Sequence, residues 1–291
     1  MSLGRALITG GNGQLGSDLA EQLGERGIAV RALSHAELDI ADDAAVAEAI
    51  GDADTVFNCA AYHNVDLCET EEDASFRINV TAVKRMAQSC AERGTRLVHF
   101  STNYVFDGRR AEPYGEHDLP HPCSVYAISK LAGEHAALAY CPAAVVVRSA
   151  GLYGLHGSSQ KGGNFVTRVL MRAREGQQIR MVADQRLQPT FTRDLATAVI
   201  EAVDHEADGI LHLTADGDCS WLDFTQAIYG IAEMDVSIEE VATSGPVDRP
   251  RNGVLARPRA ASLGLTPLRH WRDALEDYMQ RAGHAPASST R

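Results

Sequence analysis

One segment near the N-terminus constrains the fold more than any other: Ala6-Leu7-Ile8-Thr9-Gly10-Gly11-Asn12-Gly13-Gln14-Leu15-Gly16. A short apolar run leads into Gly10, Gly13 and Gly16, and Asp18-Leu19-Ala20-Glu21-Gln22-Leu23 continues with helical character. That order demands a tight strand-to-helix turn with its backbone close to a ligand. The helix N–H groups then point at negative charge, the arrangement that cradles a pyrophosphate. The spacing is GxxGxxG rather than GxGxxG.

Strand-like and helix-like segments alternate after this turn. Apolar runs end at Thr9, Leu33, Asn58, Ser101 and Arg148, with helical patterns at 14–25, 44–49, 74–92 and 126–139 between them. Helices separating short buried strands predict an α/β fold, a Rossmann-like doubly wound parallel sheet. Beyond Gly151 the rhythm loosens: 165–175, 192–205, 221–233 and 270–281 read as helices and 209–213 as a strand. The expected organisation is a dinucleotide-binding domain over 1–150, completed by parts of about 185–215. A smaller substrate lobe is expected over 151–282 and a frayed tail over 283–291.

Net charge is −12 and the pI about 5.3, which argues against nucleic-acid or anionic-membrane partners, since these want a basic face. No apolar stretch approaches the roughly 20 residues that span a bilayer. The six cysteines are scattered without a C-x-x-C pair, so reduced thiols are expected rather than a disulfide frame or a metal site. With the N-terminus running into the first strand, a soluble cytoplasmic protein is expected.

Tyr126 and Lys130 lie four residues apart in Ser124-Val125-Tyr126-Ala127-Ile128-Ser129-Lys130. On a helix they share a face, and an ammonium beside a phenol favours the phenolate and brings its pKa toward the useful range. Thr102, after the strand 96–101, would present a hydroxyl at the ligand edge of the sheet, beside Tyr126. Small residues in Asn58-Cys59-Ala60-Ala61-Tyr62 would let the backbone approach a cofactor. The second strand ends in Ala32-Leu33-Ser34-His35 with no acidic residue, so a 2′-phosphate is permitted, with Ser34 or His35 able to bond it. NADP(H) is favoured over NAD(H) on that basis.

These segments appear in order with Val65-Asp66, Ser101–Gly108, Leu131-Ala132-Gly133-Glu134, Gly163-Asn164-Phe165, Gln185 with Pro189-Thr190, and Arg249-Pro250-Arg251-Asn252. Together they resemble extended short-chain dehydrogenases/reductases, most closely the dTDP-4-dehydrorhamnose reductase family, over nearly the whole chain. The resemblance implies an NAD(P)H-dependent reduction of the C4 ketone of a nucleotide-linked 4-keto-6-deoxysugar, in deoxysugar and rhamnose biosynthesis. It implies Tyr126 as general acid, Lys130 as the group that lowers its pKa and binds the nicotinamide ribose, and Thr102 as the group polarising the ketone. Cofactor contacts carried over are Gly10, Asn12, Gln14, Leu15, Asp39, Ile40, Ala60, Ala61 and Tyr62, beside Gly13 and Gly16 of the turn. Asn103, Tyr104, Asn164 and Gln185 would face the substrate, and a homodimer is possible.

Two departures stand out. Asn103 replaces the family's usual aspartate, and Gly151 stands where a tryptophan is usual, which is expected to open volume on the substrate side. Some members use Mg²⁺ at a dimer contact; Asp18 could stand for one of those acids, but Arg193 occupies another's place, so no metal is expected. A dehydratase would need two acidic groups after Thr102, where Asn103 and Tyr104 stand. An epimerase, or a non-catalytic NADP-binding regulatory subunit like that of methionine adenosyltransferase, remains as an alternative.

Overall fold

A computed structural model of the chain describes residues 3–156 and 163–285. The apolar run into the glycines is strand β1 (Arg5–Thr9), and Gln14–Glu25 is helix α1. Then follow β2 (Ala29–Leu33), α2 (Asp43–Ile50), β3 (Thr55–Asn58), β4 (Arg96–Thr102) and β5 (Val145–Ser149). With the strand Gly209–His212 they form one parallel sheet, in the order Gly209–His212, β5, β4, β3, β1, β2. Between β1 and β3 the winding reverses. Ligands bind doubly wound sheets in the crevice at the carboxyl ends of strands flanking such a reversal.

Successive strand residues point to opposite faces, so each face buries its own apolar set. Ile8, Phe57, Val98 and Val147 pack with Leu19 and Leu23 of α1 and with Leu195 and Val199 of the helix Thr192–Asp204. On the other face Leu7, Val56, Leu97 and Val146 meet Val83, Met86 and Ala137. A third cluster around Tyr153, Phe191, Phe224, Trp271 and Tyr278 lies in the second half of the chain. Tyr153 there is flanked by Phe191 at 5.7 Å and Tyr278 at 5.2 Å. Gly283–Ala285 are ordered against the last helix, where His284 N–H donates to Met279 O at 2.8 Å. The remainder of the expected frayed tail, 286–291, lies outside the described residues.

The segment read as one helix over 74–92 is interrupted. Glu72–Phe76 and Val83–Arg93 are α-helical, but Arg77–Ala82 between them is a π turn. Its cause is Asn79, whose side chain bonds both backbone groups of Tyr62, at 2.9 Å each, and Ser129 Oγ at 3.0 Å. Such π insertions often occur at functional sites.

The helix Val125–Tyr140 is fixed by polar contacts at its start and along its middle. Ser124 caps Ala127 N–H, and the Glu69 carboxylate accepts from Val125 N–H at 2.8 Å. Gly133 lies so close to the π turn that a Cβ there would come within 2.2 Å of Asn79 O. Glu134, one residue on, forms a two-pronged ion pair with Arg148 of β5, at 2.9 and 2.6 Å, and also accepts from Ser101 of β4. Both charged side chains are 1% exposed. Among the described residues no helix is long and apolar enough to cross a membrane.

A lone charge in that position would keep its desolvation cost with nothing to offset it. Glu134→Ala should therefore destabilise the protein by about 3–5 kcal/mol, read from denaturant midpoints. The double change Glu134→Leu/Arg148→Met should recover most of the loss; no recovery would show that the pair is not what holds this junction.

Candidate functional site

A cleft of about 910 Å³ opens over the carboxyl ends of β1, β3, β4 and β5. Small-molecule sites are commonly clefts of ~300–1,000 Å³. Its first wall is the glycine turn, with Gly10, Asn12, Gly13, Gln14, Leu15 and Gly16 all at the surface of the cleft. Gly10 has φ +66°, and a Cβ there would sit 3.0 Å from Ala60 N. At Gly16 a Cβ would come within 2.4 Å of Gly10 O, so the turn closes only with glycine in both places. Helix α1 begins at Gly13 without a side-chain cap, so its first N–H groups are left for an anion.

Ile40, Ala60, Ala61 and Tyr62 line the adjoining wall, as expected. Asp39 instead turns to accept from Ala41 N–H at 3.0 Å. Beneath this wall a polar relay crosses three strands, β1, β3 and β4. Thr9 donates to Asn58 Oδ1 at 2.7 Å, and Asn58 Nδ2 lies 3.1 Å from His99 Nδ1. Burial, aided by nearby Lys130, holds the His99 pKa well below the usual histidine range, so the ring is neutral. It is a packed residue within β4.

Thr102, Tyr126 and Lys130 meet on the far side of the cleft. The Tyr126 hydroxyl lies close enough to the Thr102 side chain for that hydroxyl to act on the phenol's pKa. Tyr104 stands edge-on to Tyr126 at 5.9 Å and near Arg249, which pairs with Asp66 at 2.6 Å. Lys130 donates to Phe100 O at 2.6 Å rather than to the phenol. Burial raises the Tyr126 pKa above the usual tyrosine value, and the nearby Thr102 hydroxyl only partly opposes it. The expectation that Lys130 draws this pKa down is therefore not met here: the ammonium is turned to a carbonyl, and desolvation wins. Burial also pushes Lys130 down to about 8, against the attraction of Glu134.

Other expected contacts are more structural than the sequence suggested. Asn164 reaches the cleft, but its side chain caps Thr167 N–H and donates to Gly154 O and the Tyr278 hydroxyl. Gln185 accepts from Trp221 Nε1 and donates to Thr243 Oγ1, both at 3.1 Å. Trp271 is core, whereas Trp221 lines the cleft and lies 4.4 Å from the Phe165 ring. Gly151 opens little room where its side chain would point, because a Cβ there would lie 2.8 Å from Leu187 and 3.1 Å from Pro189. Its φ of +57° suits glycine.

Ser34 carries the residue that the sequence reading missed. Its N–H and Oγ both donate to the Glu37 carboxylate, at 2.9 and 2.6 Å. An acid thus does follow the second strand, four residues past its last residue Leu33 and 21 past Gly16. The spacing of about 20 residues past the glycines to a ribose-binding acid is the signal that points to it.

Asn103 is 4% exposed and donates through Nδ2 to Gly253 O at 2.9 Å, tying β4 to the segment 249–255. Aspartate lacks that donor. Asn103→Asp should lower stability by about 1–3 kcal/mol at neutral pH and recover stability on acidification, when a protonated carboxyl can donate instead. A pH-independent melting temperature in that variant would refute the tie.

The comparisons agree with this geometry. The family described as the RmlD substrate binding domain matches residues 4–283. A dTDP-4-dehydrorhamnose reductase of Mycobacterium tuberculosis is 38% identical, over 98% of this chain and 94% of its own. A probable dTDP-4,6-dihydroxy-2-methyloxan-3-one 4-ketoreductase of Streptomyces antibioticus is 40% identical over 94% of each chain. The crystal structure of a dTDP-4-dehydrorhamnose reductase from Bacillus anthracis in complex with NADP superposes with a TM-score of 0.90 at 30% identity, covering 96% of this chain and 100% of that one. The chain belongs to the RmlD substrate-binding-domain family, the family of the dTDP-4-dehydrorhamnose reductases.

Proposed function

We propose that the protein is an NAD(P)H-dependent oxidoreductase that reduces the C4 ketone of a dTDP-linked 4-keto-6-deoxysugar, in deoxysugar biosynthesis. The observation that carries this reading is the convergence of Thr102, Tyr126 and Lys130 in one cleft with the uncapped glycine turn. The M. tuberculosis and S. antibioticus relatives, named for 4-keto reductions of dTDP-sugars, support the reaction class. NADP in the B. anthracis relative supports NADP(H), with NAD(H) as the alternative coenzyme.

The residues present fit a dinucleotide. Gly10–Gly16 and the first turn of α1 would hold its pyrophosphate, Ile40 and Ala60–Tyr62 its adenosine side, and Lys130 its nicotinamide ribose. Bound there, the reduced coenzyme supplies a hydride to the carbonyl carbon. Thr102 would donate a hydrogen bond to the ketone oxygen, where negative charge develops. Tyr126 would hand its proton to that oxygen. A buried phenol with a raised pKa suits this direction of reaction, because it remains protonated through neutral pH. Tyr104, beside Arg249, would shape the sugar end. We assign the segments around Trp221, Gln185 and Arg249 to the substrate-binding half of the cleft, opposite the dinucleotide-binding half built on residues 1–150.

The test supplies dTDP-4-keto-6-deoxyglucose, with and without a 3,5-epimerase, and follows loss of the reduced-nicotinamide absorbance. Stoichiometric oxidation of coenzyme is expected; an epimerase would return it. Tyr126→Phe should cut turnover by about 10²–10⁴-fold while coenzyme affinity stays within a few-fold. Full turnover in that variant would remove Tyr126 as the acid.

Lys130 gives a pH signature. Its ammonium is present below its depressed pKa and lost above it, so affinity for the reduced coenzyme should fall as pH rises through about 8. In Lys130→Met that inflection should vanish, with weaker binding at every pH. An unchanged profile in the variant would assign the titration to another group.

A further inference from the structure

The second half of the chain turns an aromatic pair into the cleft. Phe165 opens the helix Phe165–Arg174 and Trp221 opens the helix Trp221–Ile231. Both line the cleft, with ring centroids 4.4 Å apart at an interplanar angle of 40°. Behind them Phe224 is core, 5.7 Å from Phe165 and 6.4 Å from Trp221, while the two front rings are only half-buried. The indole is fixed in place. Ser220 and Asp223 close a capping box at its helix start, and Trp221 Nε1 donates to Gln185 Oε1 at 3.1 Å. Gln185 donates in turn to Thr243 Oγ1, whose own hydroxyl and N–H both donate to Asp184. The one polar group of the indole is therefore satisfied within the protein. What it has left for a ligand is its π surface.

Arg168 lies one turn along the helix from Phe165 and also lines the cleft. Two other cations there, Arg186 and Arg249, pair with Asp218 and Asp66. Arg168 has no carboxylate partner among the described residues. A flat ring to be stacked and an anion to be met one helical turn away together describe a nucleoside diphosphate. The reacting sugar belongs at Thr102 and Tyr126, so the part of the substrate that reaches this lobe is its nucleotide. We propose that the nucleobase of the sugar nucleotide stacks on Trp221, with Phe165 completing the platform and Arg168 facing the diphosphate. Met181 and Val182 line the same part of the chain's cleft wall and suit the methyl group of thymine. This inference rests on the dTDP-sugar reading of the cleft and adds which residues hold the nucleotide.

The experiment titrates dTDP, which has the base and diphosphate but no sugar, onto full-length protein saturated with NADP⁺. The chain has two tryptophans, and Trp271 is 2% exposed in the core. In Trp271→Phe, where Trp221 alone emits, dTDP should quench the fluorescence; in Trp221→Phe the signal should stay flat. By calorimetry, Trp221→Leu should weaken dTDP about 10- to 100-fold, the range of base–aromatic stacking. Trp221→Phe, whose ring still stacks, should keep most of that affinity, and NADP⁺ affinity should not change in either variant. In turnover, Trp221→Leu should raise KM for the sugar nucleotide far more than it lowers kcat. Unweakened dTDP binding in Trp221→Leu would overturn the platform, and so would a parallel loss of NADP⁺ affinity, which would make Trp221 a residue of the fold. A wild type that binds NADP⁺ but no dTDP would instead sink the dTDP-sugar reading, and this proposal with it.

Discussion

The buried pair between Glu134 and Arg148 holds the remainder of the site in register. Glu134 lies one turn beyond Lys130 on the helix that also carries Tyr126, while Arg148 immediately precedes the last residue of β5. Its carboxylate also takes the hydroxyl of Ser101, the residue before Thr102 on β4. One carboxylate thus joins the helix of the acid and the lysine to the strand of the threonine. Isolated buried charges are costly, so this junction tolerates little displacement. On the same helix, Gly133 lets its backbone touch Asn79 O, and Ser129 bonds the Asn79 amide. The helix can neither roll nor slide without breaking one of these contacts.

That rigidity explains the electrostatic character of the centre. Tyr126 and Lys130 are both deeply buried, and burial disfavours the charged form of each. The phenol is kept neutral and the ammonium is made easier to deprotonate. Both shifts come from one cause, the dry environment under the cleft, rather than from a direct contact between the two groups. Phe100 O gives the Lys130 ammonium an acceptor at 2.6 Å, and the Glu134 charge favours its charged form. The architecture therefore favours proton donation by a neutral tyrosine, the role a ketone reduction requires.

Much of the framework was legible in the sequence because local rules and the fold agree there. The glycine spacing dictated a strand–turn–helix, and helix α1 over Gln14–Glu25 has the bounds that the pattern gave. The alternation of short apolar runs with helical segments gave the parallel sheet. What escaped was decided by tertiary contacts. The π turn at Arg77–Ala82 follows from a side chain reaching the Tyr62 backbone, which no helical period encodes. Two-residue strands such as Arg186–Leu187 carry no periodicity at all. Stacking on one face correctly placed Tyr126 beside Lys130, yet the direction of the ammonium depended on a carbonyl thirty residues away in sequence. Asn164 and Gln185 were found at the cleft, while the hydrogen bonds that occupy their amides are set by neighbours from distant segments.

Asn103 shows how a single substitution is absorbed by its surroundings. Its amide has one donor on Gly253 O and one acceptor toward Thr102 Oγ1, at 3.3 Å, whose hydroxyl also caps Tyr104 N–H. A Cβ on residue 253 would meet that amide at 2.2 Å, so glycine and asparagine fit each other. The segment they anchor is held further by Asn252, which donates to Arg110 O and Ala111 O, and by Arg249, which reaches Asp66 and lies near Tyr104. The segment around Arg249 is thereby attached to the strand end that carries Thr102. An amide does this because it can donate and accept at once; a carboxylate would have to be protonated to match it. The Asn103 amide thus acts as a structural tie behind the Thr102 and Tyr126 side chains that line the cleft.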